Sequence, residues 1–576
     1  MPVASFPLTT SPWIPVLDQG AHGQREVGLL EALAGAHRLS LAHTSSAQGL
    51  VLLRLLAAVF DAACGPRTET EWDKAWTAQT LDVPAITAYL ERWEERLDLF
   101  HPEQPALQSG ALTAFPRGPE VLHPGSVSGA SGRWFHPELR CEEPLAPYPA
   151  PEAARLLLRL LAFDVAGIKR AAPGDPAARR GKLYGAQIGP LAAVTHLHLT
   201  TPGGHLKDMI LLSLPPQPRA AGDAPVWERD TPPAPVRTRP ATGRLDLLTW
   251  PNRRIRLHAT GQGEVDAVAL HDGDRLQDGW ETVHRLDPMT AWTTTAKRKQ
   301  APLDFLNAAH WPVPWQAARL LDASADLPRT SGAVDHAIAA AERGTLPAAL
   351  PLHAALSRTR HSNAHKSVIS DIPVETLPLG TAGQLADPGA RQDLAAMARR
   401  ADRLDDRLRK VTAALTGLPG DLVASRMYLS DLDRAWENAV RTHAANPEQA
   451  RTAWRGELRR AADLKIDAFP VRTPLEREKV RAVVHQPTPR RAAAPAPARP
   501  KPRDEAAAGR QKRGGGPKAP AYEAFGGRYT LSQIARLPQC VVTYTTLRTR
   551  VVEQGWNVEE AATTAGTRGP GRAQQH

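Results

Sequence analysis

Residues 391–420 read RQDLAAMARRADRLDDRLRKVTAALTGLPG. Leu394, Met397, Ala401, Leu404, Leu408, Val411 and Leu415 recur in steps of three and four, which lays one apolar stripe along a long helix. Pro419-Gly420 predicts where it stops. Residues 432–443 and 447–464 repeat the texture after short connections, and three or more such helices stack into a bundle. Upstream the pattern is mixed. Residues 47–63 and 84–99, the latter with Ile86, Leu90, Trp93 and Leu97, read as helices and make the first hundred residues mainly helical. Residues 108–145 turn to Gly, Pro and Ser without periodicity, which predicts a functional loop or disorder. Residues 153–165 are helical again. Between 190 and 300 apolar and polar residues alternate in short pieces, such as 194–200 and 255–258, predicting short strands. The fold class is α+β, changing to all-helical near residue 390.

At 576 residues the chain is too long for one hydrophobic core, so three or four folded units are expected. Its 71 Lys and Arg against 60 acids leave a net charge of +11, which favours an anionic partner. That excess is concentrated. Residues 485–520 carry nine Lys/Arg against Asp504 and Glu505, a net of +7, and lack large apolar residues. Such a stretch cannot bury enough surface to offset the entropy of ordering and reads as a disordered basic linker. Beyond it, residues 525–563 form an apolar island. Thr530 is placed to cap a helix over 531–537, a break follows at 538–542, and Thr543 is placed to cap a second helix over 544–554, closed by Gly555. Two short helices around a tight break are the pattern of a helix-turn-helix. In it Leu547 and Val551 face inward while Tyr544, Thr545, Arg548 and Arg550 face a groove, although the same pattern fits a protein-docking module.

No motif for catalysis is present: no G-x-x-x-x-G-K-[ST] loop, no H-E-x-x-H, no G-x-S-x-G and no EF-hand loop. Cys64, Cys141 and Cys540 are isolated, which supports neither a disulfide framework nor a zinc site. His361 and His365, and His196 and His198, lack further ligands at metal spacing. The reading is therefore no enzyme, no cofactor and no metal. The N-terminus lacks a secretory pattern, and the apolar run 49–63 is interrupted by Arg54 and short for a bilayer, so a cytoplasmic, soluble protein is expected.

Residues 167–189 are the most informative. Gly167, Lys169 and Arg170 open the segment, and Arg179, Arg180, Gly181, Lys182, Tyr184 and Gly185 follow. Glycines let a backbone approach a ligand closely, and interleaved Arg and Lys neutralise phosphates. A solvated surface loop is the alternative.

At this point the chain resembles CasA, the large-subunit family of the type I-E CRISPR Cascade complex. Ser11-Pro12-Trp13-Ile14-Pro15-Val16 is similar to the family's opening, and 52–57 to its first buried helix. Glu71-Trp72, Tyr89-Leu90, Leu99-Phe100-His101-Pro102, residues 162–169, 206–214, 248–257 and 287–292 follow in family order. The resemblance implies a large mixed N-terminal domain (1–385) and a C-terminal four-helix bundle (386–484). Outside the family pattern lie the linker (485–524), the helix-turn-helix-like module (525–565) and a disordered tail (566–576).

It also implies function. CasA-like proteins recognise the protospacer-adjacent motif in double-stranded DNA, help open it for guide RNA pairing, and dock a helicase-nuclease. Their partners are the other Cascade subunits, guide RNA and target DNA, with no membrane. The family's glycine loop falls within 167–185, with Lys169, Arg179, Arg180 and Lys182 as contacts. Its wedge resembles Asn363, His365 and Lys366, where some relatives carry amides. Its loop toward guide RNA and the neighbouring subunit resembles Arg133, Trp134, Phe135 and His136. Arg253, Arg254, Lys297, Arg298 and Lys299 are further candidate phosphate contacts. Some relatives hold zinc with four cysteines that this chain lacks. A second reading remains open, in which the chain is a scaffold that recruits a nuclease or transposition factor through its basic extension without reading the motif.

Overall fold

In the computed structural model the described residues are 4–20, 23–42, 46–115, 117–122, 146–280, 283, 286–295, 300–303, 313, 315–322, 329–361, 369–416, 423–468, 473–485, 521–535, 537, 539–542, 546–547, 549–553 and 556–564. They form two compact units, residues 1–488 and 489–576.

The first unit is built around helix α1, Ser46–Cys64. It is apolar nearly all round, and Leu52, Leu53, Leu56, Ala57, Ala58 and Val59 are fully buried, as expected for a helix with no solvent face. By length and composition residues 47–64 also pass for a membrane span, in contrast to the sequence reading, but they are packed as core. The two charges on α1 are each paired inside the protein. Arg54 meets Asp287 at 2.8 Å and Asp61 meets Arg244 at 2.7 Å. Helix α2, Ala150–Phe163, packs on α1 and buries Ala153, Ala154, Leu157 and Leu158.

The first hundred residues are not purely helical. Strand Ile14–Asp18 sits between Gly23–Val27 and Leu39–Leu41 in a three-stranded antiparallel sheet. The sequence reading missed it because Leu17 is 45 % exposed while Pro15 and Val16 are both buried, so the alternation that marks a half-buried strand is lost.

Further small sheets follow. Hairpin strands β1, Gly167–Arg170, and β2, Lys182–Ala186, pair with each other. Strand β3, Thr195–Thr200, lies at the edge of a sheet below. Strands β4, Arg253–Ala259, and β5, Glu264–Asp272, are antiparallel, and β6, Asp274–Leu276, pairs in parallel with Arg237–Arg239. Strands β7, Pro351–Arg358, and β8, Val374–Thr381, complete the sheet β8-β7-β3.

Four helices follow: α3, Pro388–Thr416, α4, Val423–Ala445, α5, Pro447–Ala468, and α6, Pro474–Val484. They contact one another through Leu394, Met397, Trp436, Trp454, Leu458 and Val484. The ring of Trp454 meets those of Trp436 and Trp315 at 5.1 and 5.8 Å. Thr473 opens α6 with a complete capping box to Glu476, which satisfies two otherwise unpaired amides.

The second unit has its own small core of Leu531, Ile534, Leu547, Ala561 and Ala562. It opens on a hairpin the sequence reading did not foresee: β9, Ala521–Ala524, pairs with β10, Gly527–Thr530, around Phe525 and Gly526, both at positive φ. A helix over Leu531–Ile534, a π-helical turn over Thr549–Glu553 and a helix over Val558–Thr563 complete it.

Substituting Asp61→Ala strands a fully buried guanidinium at Arg244. The expected cost is about 3–5 kcal/mol, read as a lowered midpoint in chemical denaturation; an Asp61→Glu variant should recover part of it.

Candidate nucleic-acid interface

The Gly/Arg segment folds as a two-stranded ribbon. Gly167 pairs with Ala186, Lys169 with Leu183 and Arg170 with Lys182. One extra residue on β2 sets Ile168 opposite Tyr184 and Gly185, a bulge that Gly185 permits by adopting φ +73°. The ladder continues through the Ala171 amide, which donates to the Gly181 carbonyl at 3.0 Å. Arg179 and Lys182 then exchange backbone hydrogen bonds of 2.9 and 3.1 Å around Arg180 (φ +52°) and Gly181 (φ +70°). Positive φ at both central residues is the type I′ signature, and an arginine there carries a backbone penalty of about 1 kcal/mol. Burial alternates: Leu183 and Ala186 face inward, while Ile168, Arg170, Arg179, Arg180, Lys182 and Tyr184 are exposed.

The ribbon is fastened on all sides. Asp175 accepts from the amides of Ala177 and Val236, each at 2.9 Å. His271 Nδ1 meets the Arg170 carbonyl at 3.1 Å, so it is the donating nitrogen. Arg275 donates to the Tyr184 carbonyl at 2.8 Å and to Asp272. Gln187 and Leu276 exchange two bonds of 2.7 and 2.9 Å. Arg253 reaches in from β4 and donates to the carbonyls of Val165 and Gln187 at 2.9 and 2.8 Å, and also pairs with Asp164 and Asp272.

These contacts correct several expectations. Arg253 and Arg254 do not reach phosphates: both side chains are fully buried. Arg254 pairs with Asp274, which also receives Arg237 at 3.0 Å and Arg239 at 2.6 Å. Lys169 is likewise withdrawn, bound to Asp164 at 2.8 Å with its side chain 15 % exposed. Burial pulls its ammonium below the ordinary lysine range, against the opposing pull of Asp164. By contrast Arg170, Arg179, Arg180 and Lys182 have no ion-pair partner among the described residues.

In the second unit Arg550 does not face a groove. It donates to the carbonyls of Ala561 and Thr564 at 3.0 and 2.7 Å and stacks over Trp556 at 4.9 Å, tying the π-helical turn to the last helix. Leu547 does face inward. Tyr544, Thr545, Arg548, Arg133, Trp134, Phe135, His136, Lys297, Arg298, Lys299, Asn363, His365 and Lys366 lie outside the described residues. The strands flanking the last three, Arg360–His361 and Ile369–Asp371, pair with each other. His196 and His198 are buried on β3, and burial with nearby Arg54 holds the His196 imidazole well below its usual range. No group of three or more His, Cys, Asp or Glu is placed to hold a metal among the described residues.

A second cationic face escaped the sequence reading. Arg400 and Arg403 on α3 and Arg455 and Arg459 on α5 are exposed and without ion-pair partners among the described residues. Partial burial, then repulsion by Arg455, Arg403 and Arg459, lowers the Arg400 guanidinium below its usual range. Three- and four-residue spacing on each helix was the available signal, but adjacency of the two helices belongs to the tertiary structure.

Fold and ribbon together define a mixed α/β protein with a two-stranded ribbon whose exposed cations have no ion-pair partner among the described residues. A family model described as CRISPR-associated protein Cse1 matches residues 7–464. The chain is 31% identical over 492 residues to the CRISPR-associated protein CasA/Cse1 of Thermus thermophilus, covering 79% of this chain and 91% of that one. The crystal structure of Thermobifida fusca Cse1 superposes with a TM-score of 0.71 at 23% identity, covering 83% of this chain and 97% of that one. A chain of a CRISPR RNA-guided surveillance complex does so at 0.61 and 18%, covering 84% and 100%. The chain belongs to the Cse1/CasA family of CRISPR-associated proteins.

Burial pushes the Asp164 and Asp274 carboxyls up, but Arg253 with Lys169, and Arg254 with Arg237 and Arg239, hold both below the usual carboxylate range. A depressed folded-state value contributes stability that is complete above the unfolded value of about 4 and is lost as pH falls through the folded value. Thermal midpoints should therefore drop steeply below about pH 4. Asp274→Asn should start lower at neutral pH and fall less on acidification.

Proposed function

We propose that the protein is the non-catalytic large subunit of a type I-E Cascade complex in the cytoplasm. In this reading it recognises the protospacer-adjacent motif in double-stranded DNA, helps unwind the target for guide RNA pairing, and recruits a helicase-nuclease or other effector. The observation that carries this is the anchored ribbon with four exposed cations that no carboxylate among the described residues neutralises. Free cations on a preorganised arm can replace counterions on a phosphate backbone without first breaking ion pairs. The left-handed Arg180 supports the reading, because strain kept at an exposed tip marks a selected function more than a folding need. Family membership supplies the other Cascade subunits and the guide RNA as partners. The arginine face on α3 and α5 supplies phosphate contacts away from the ribbon. Asn363, His365 and Lys366 are proposed as the wedge, and 386–484 as the four-helix bundle of the family.

The scaffold reading is favoured by one observation of its own: the second unit has a separate core and lies beyond the residues the family model matches. It predicts that deleting residues 485–576 abolishes effector recruitment while DNA affinity is kept. Unchanged recruitment counts against it.

For motif reading, the test is binding of the reconstituted complex to duplexes that vary the motif. Neutralising Arg170, Arg179, Arg180 and Lys182 to Gln should lower target affinity at least about 10-fold. It should also flatten the log affinity against log salt line by about 0.9 for each phosphate left without its cation. Lys169→Gln should instead lower the melting midpoint and leave the salt slope unchanged. Equal affinity for every motif variant counts against the proposal.

A further inference from the structure

We propose that the second unit docks the recruited effector through an apolar patch of Val541, Val552 and Trp556, which receives a basic amphipathic segment of that protein. This rests on the scaffold reading and deepens it, because it moves recruitment from the basic linker to a built surface on the folded unit.

The core of the unit is filled by Leu531, Ile534, Leu547, Ala561 and Ala562, yet Val541 is 60% exposed, Val552 56% and Trp556 37%. Exposed apolar residues scattered singly are ordinary on a protein surface. Val541 and Trp556 are not scattered, because hydrogen bonds bring both to the carboxyl end of the last helix, Val558–Thr563. The Val541 amide donates to the Ala562 carbonyl at 2.9 Å. Arg550 donates to the carbonyls of Ala561 and Thr564, and its guanidinium stacks on the Trp556 ring at 4.9 Å. The Trp556 amide donates in turn to the Arg550 carbonyl at 2.9 Å, so backbone and side chain of Arg550 both fix the indole. Val552 follows Arg550 in the π-helical turn Thr549–Glu553, a rare conformation that occurs mostly at functional sites.

Charge selects the occupant. Residues 521–564 carry Arg528, Arg536, Arg548 and Arg550 against Glu523, Glu553, Glu559 and Glu560, so the unit is neutral although both of its flanks are basic. Arg550 is spent on carbonyls, and Arg528 faces Glu523 across the β9–β10 ladder. The last helix exposes Glu559 and Glu560, neither with an ion-pair partner among the described residues. A unit without surplus cations lacks the counterion release that drives binding to nucleic acid. An apolar patch beside an acidic helix instead complements a protein segment that sets aliphatic or aromatic anchors among lysines and arginines.

Size points the same way. Three side chains fall short of the roughly 800 Å² per partner that a stable dimer buries, and in a second copy the acids would meet their own kind. A short segment of an effector needs less area. Other contacts of the complex hold the effector nearby, and the added contact is then intramolecular.

The test uses the full chain in the reconstituted complex on target duplex, with the purified helicase-nuclease as the probe. Val541→Ser/Val552→Ser, both at exposed positions, should keep the wild-type melting midpoint and weaken effector binding about 10-fold. Glu560→Lys, also exposed, should weaken it several-fold by opposing the basic segment. A photo-crosslinking side chain placed at Val552 should join the effector. Crosslinks to the duplex or to a second copy of the chain overturn the proposal, as does effector binding unchanged in both variants. The scaffold reading has an outcome of its own. If deleting residues 485–576 leaves recruitment intact, that reading fails and the patch falls with it. If the deletion abolishes recruitment while both variants retain it, the reading stands and the patch alone is overturned.

Discussion

The rest of the structure depends on charges that have been taken out of water and fully paired. Arg253 and Arg254 stand side by side at the start of β4, with Asp164, Asp272 and Asp274 around them. An isolated buried guanidinium is prohibitively costly, so each arginine can sit there only while several distant segments converge on it. Arg253 gathers the end of α2, the start of β1, the exit of β2 and the β5–β6 corner. Arg254 gathers the proline-rich run through Pro233 and Pro235, and Asp274 brings in Arg237 and Arg239. These short strands bury too little apolar surface to define their own positions, and the ion network does that for them.

The network separates two populations of arginine that composition merges. A net charge of +11 says only that an anionic partner is favoured. In the folded chain many basic side chains, among them Arg54, Arg244, Arg253, Arg254 and Lys169, are spent internally. Among those left free in the described residues, four cluster at the ribbon and four along α3 and α5. Free cations at a fixed spacing suit a polyanion, and the paired ones beneath supply the rigidity that makes the spacing persist.

Much of this was legible from residue order. The three-four spacing after residue 390 marked α3, and apolar runs marked α1 and α2, because local periodicity is enough to specify a helix. The Gly/Arg segment was singled out as a region, and it folds as one ribbon. Its individual residues were not: Lys169 and Arg170 are neighbours in sequence, yet one is bound inward and the other exposed, since strand alternation sends them to opposite faces. The N-terminal sheet and the β9–β10 hairpin were missed because strands this short form through partners elsewhere in the chain.

Residue order alone therefore determined the long helices α1 to α5, where basic residues accumulate, and the family whose motifs run colinearly from residue 11 onward. Tertiary structure decided which cations remain available, that Val541 and Trp556 meet at one helix end, and that Arg550 braces its own unit rather than a ligand. The physical reason is that helicity and composition are local properties. The fate of a charge depends instead on whether a carboxylate from a remote segment reaches it, as Asp274 reaches Arg254 and Asp61 reaches Arg244.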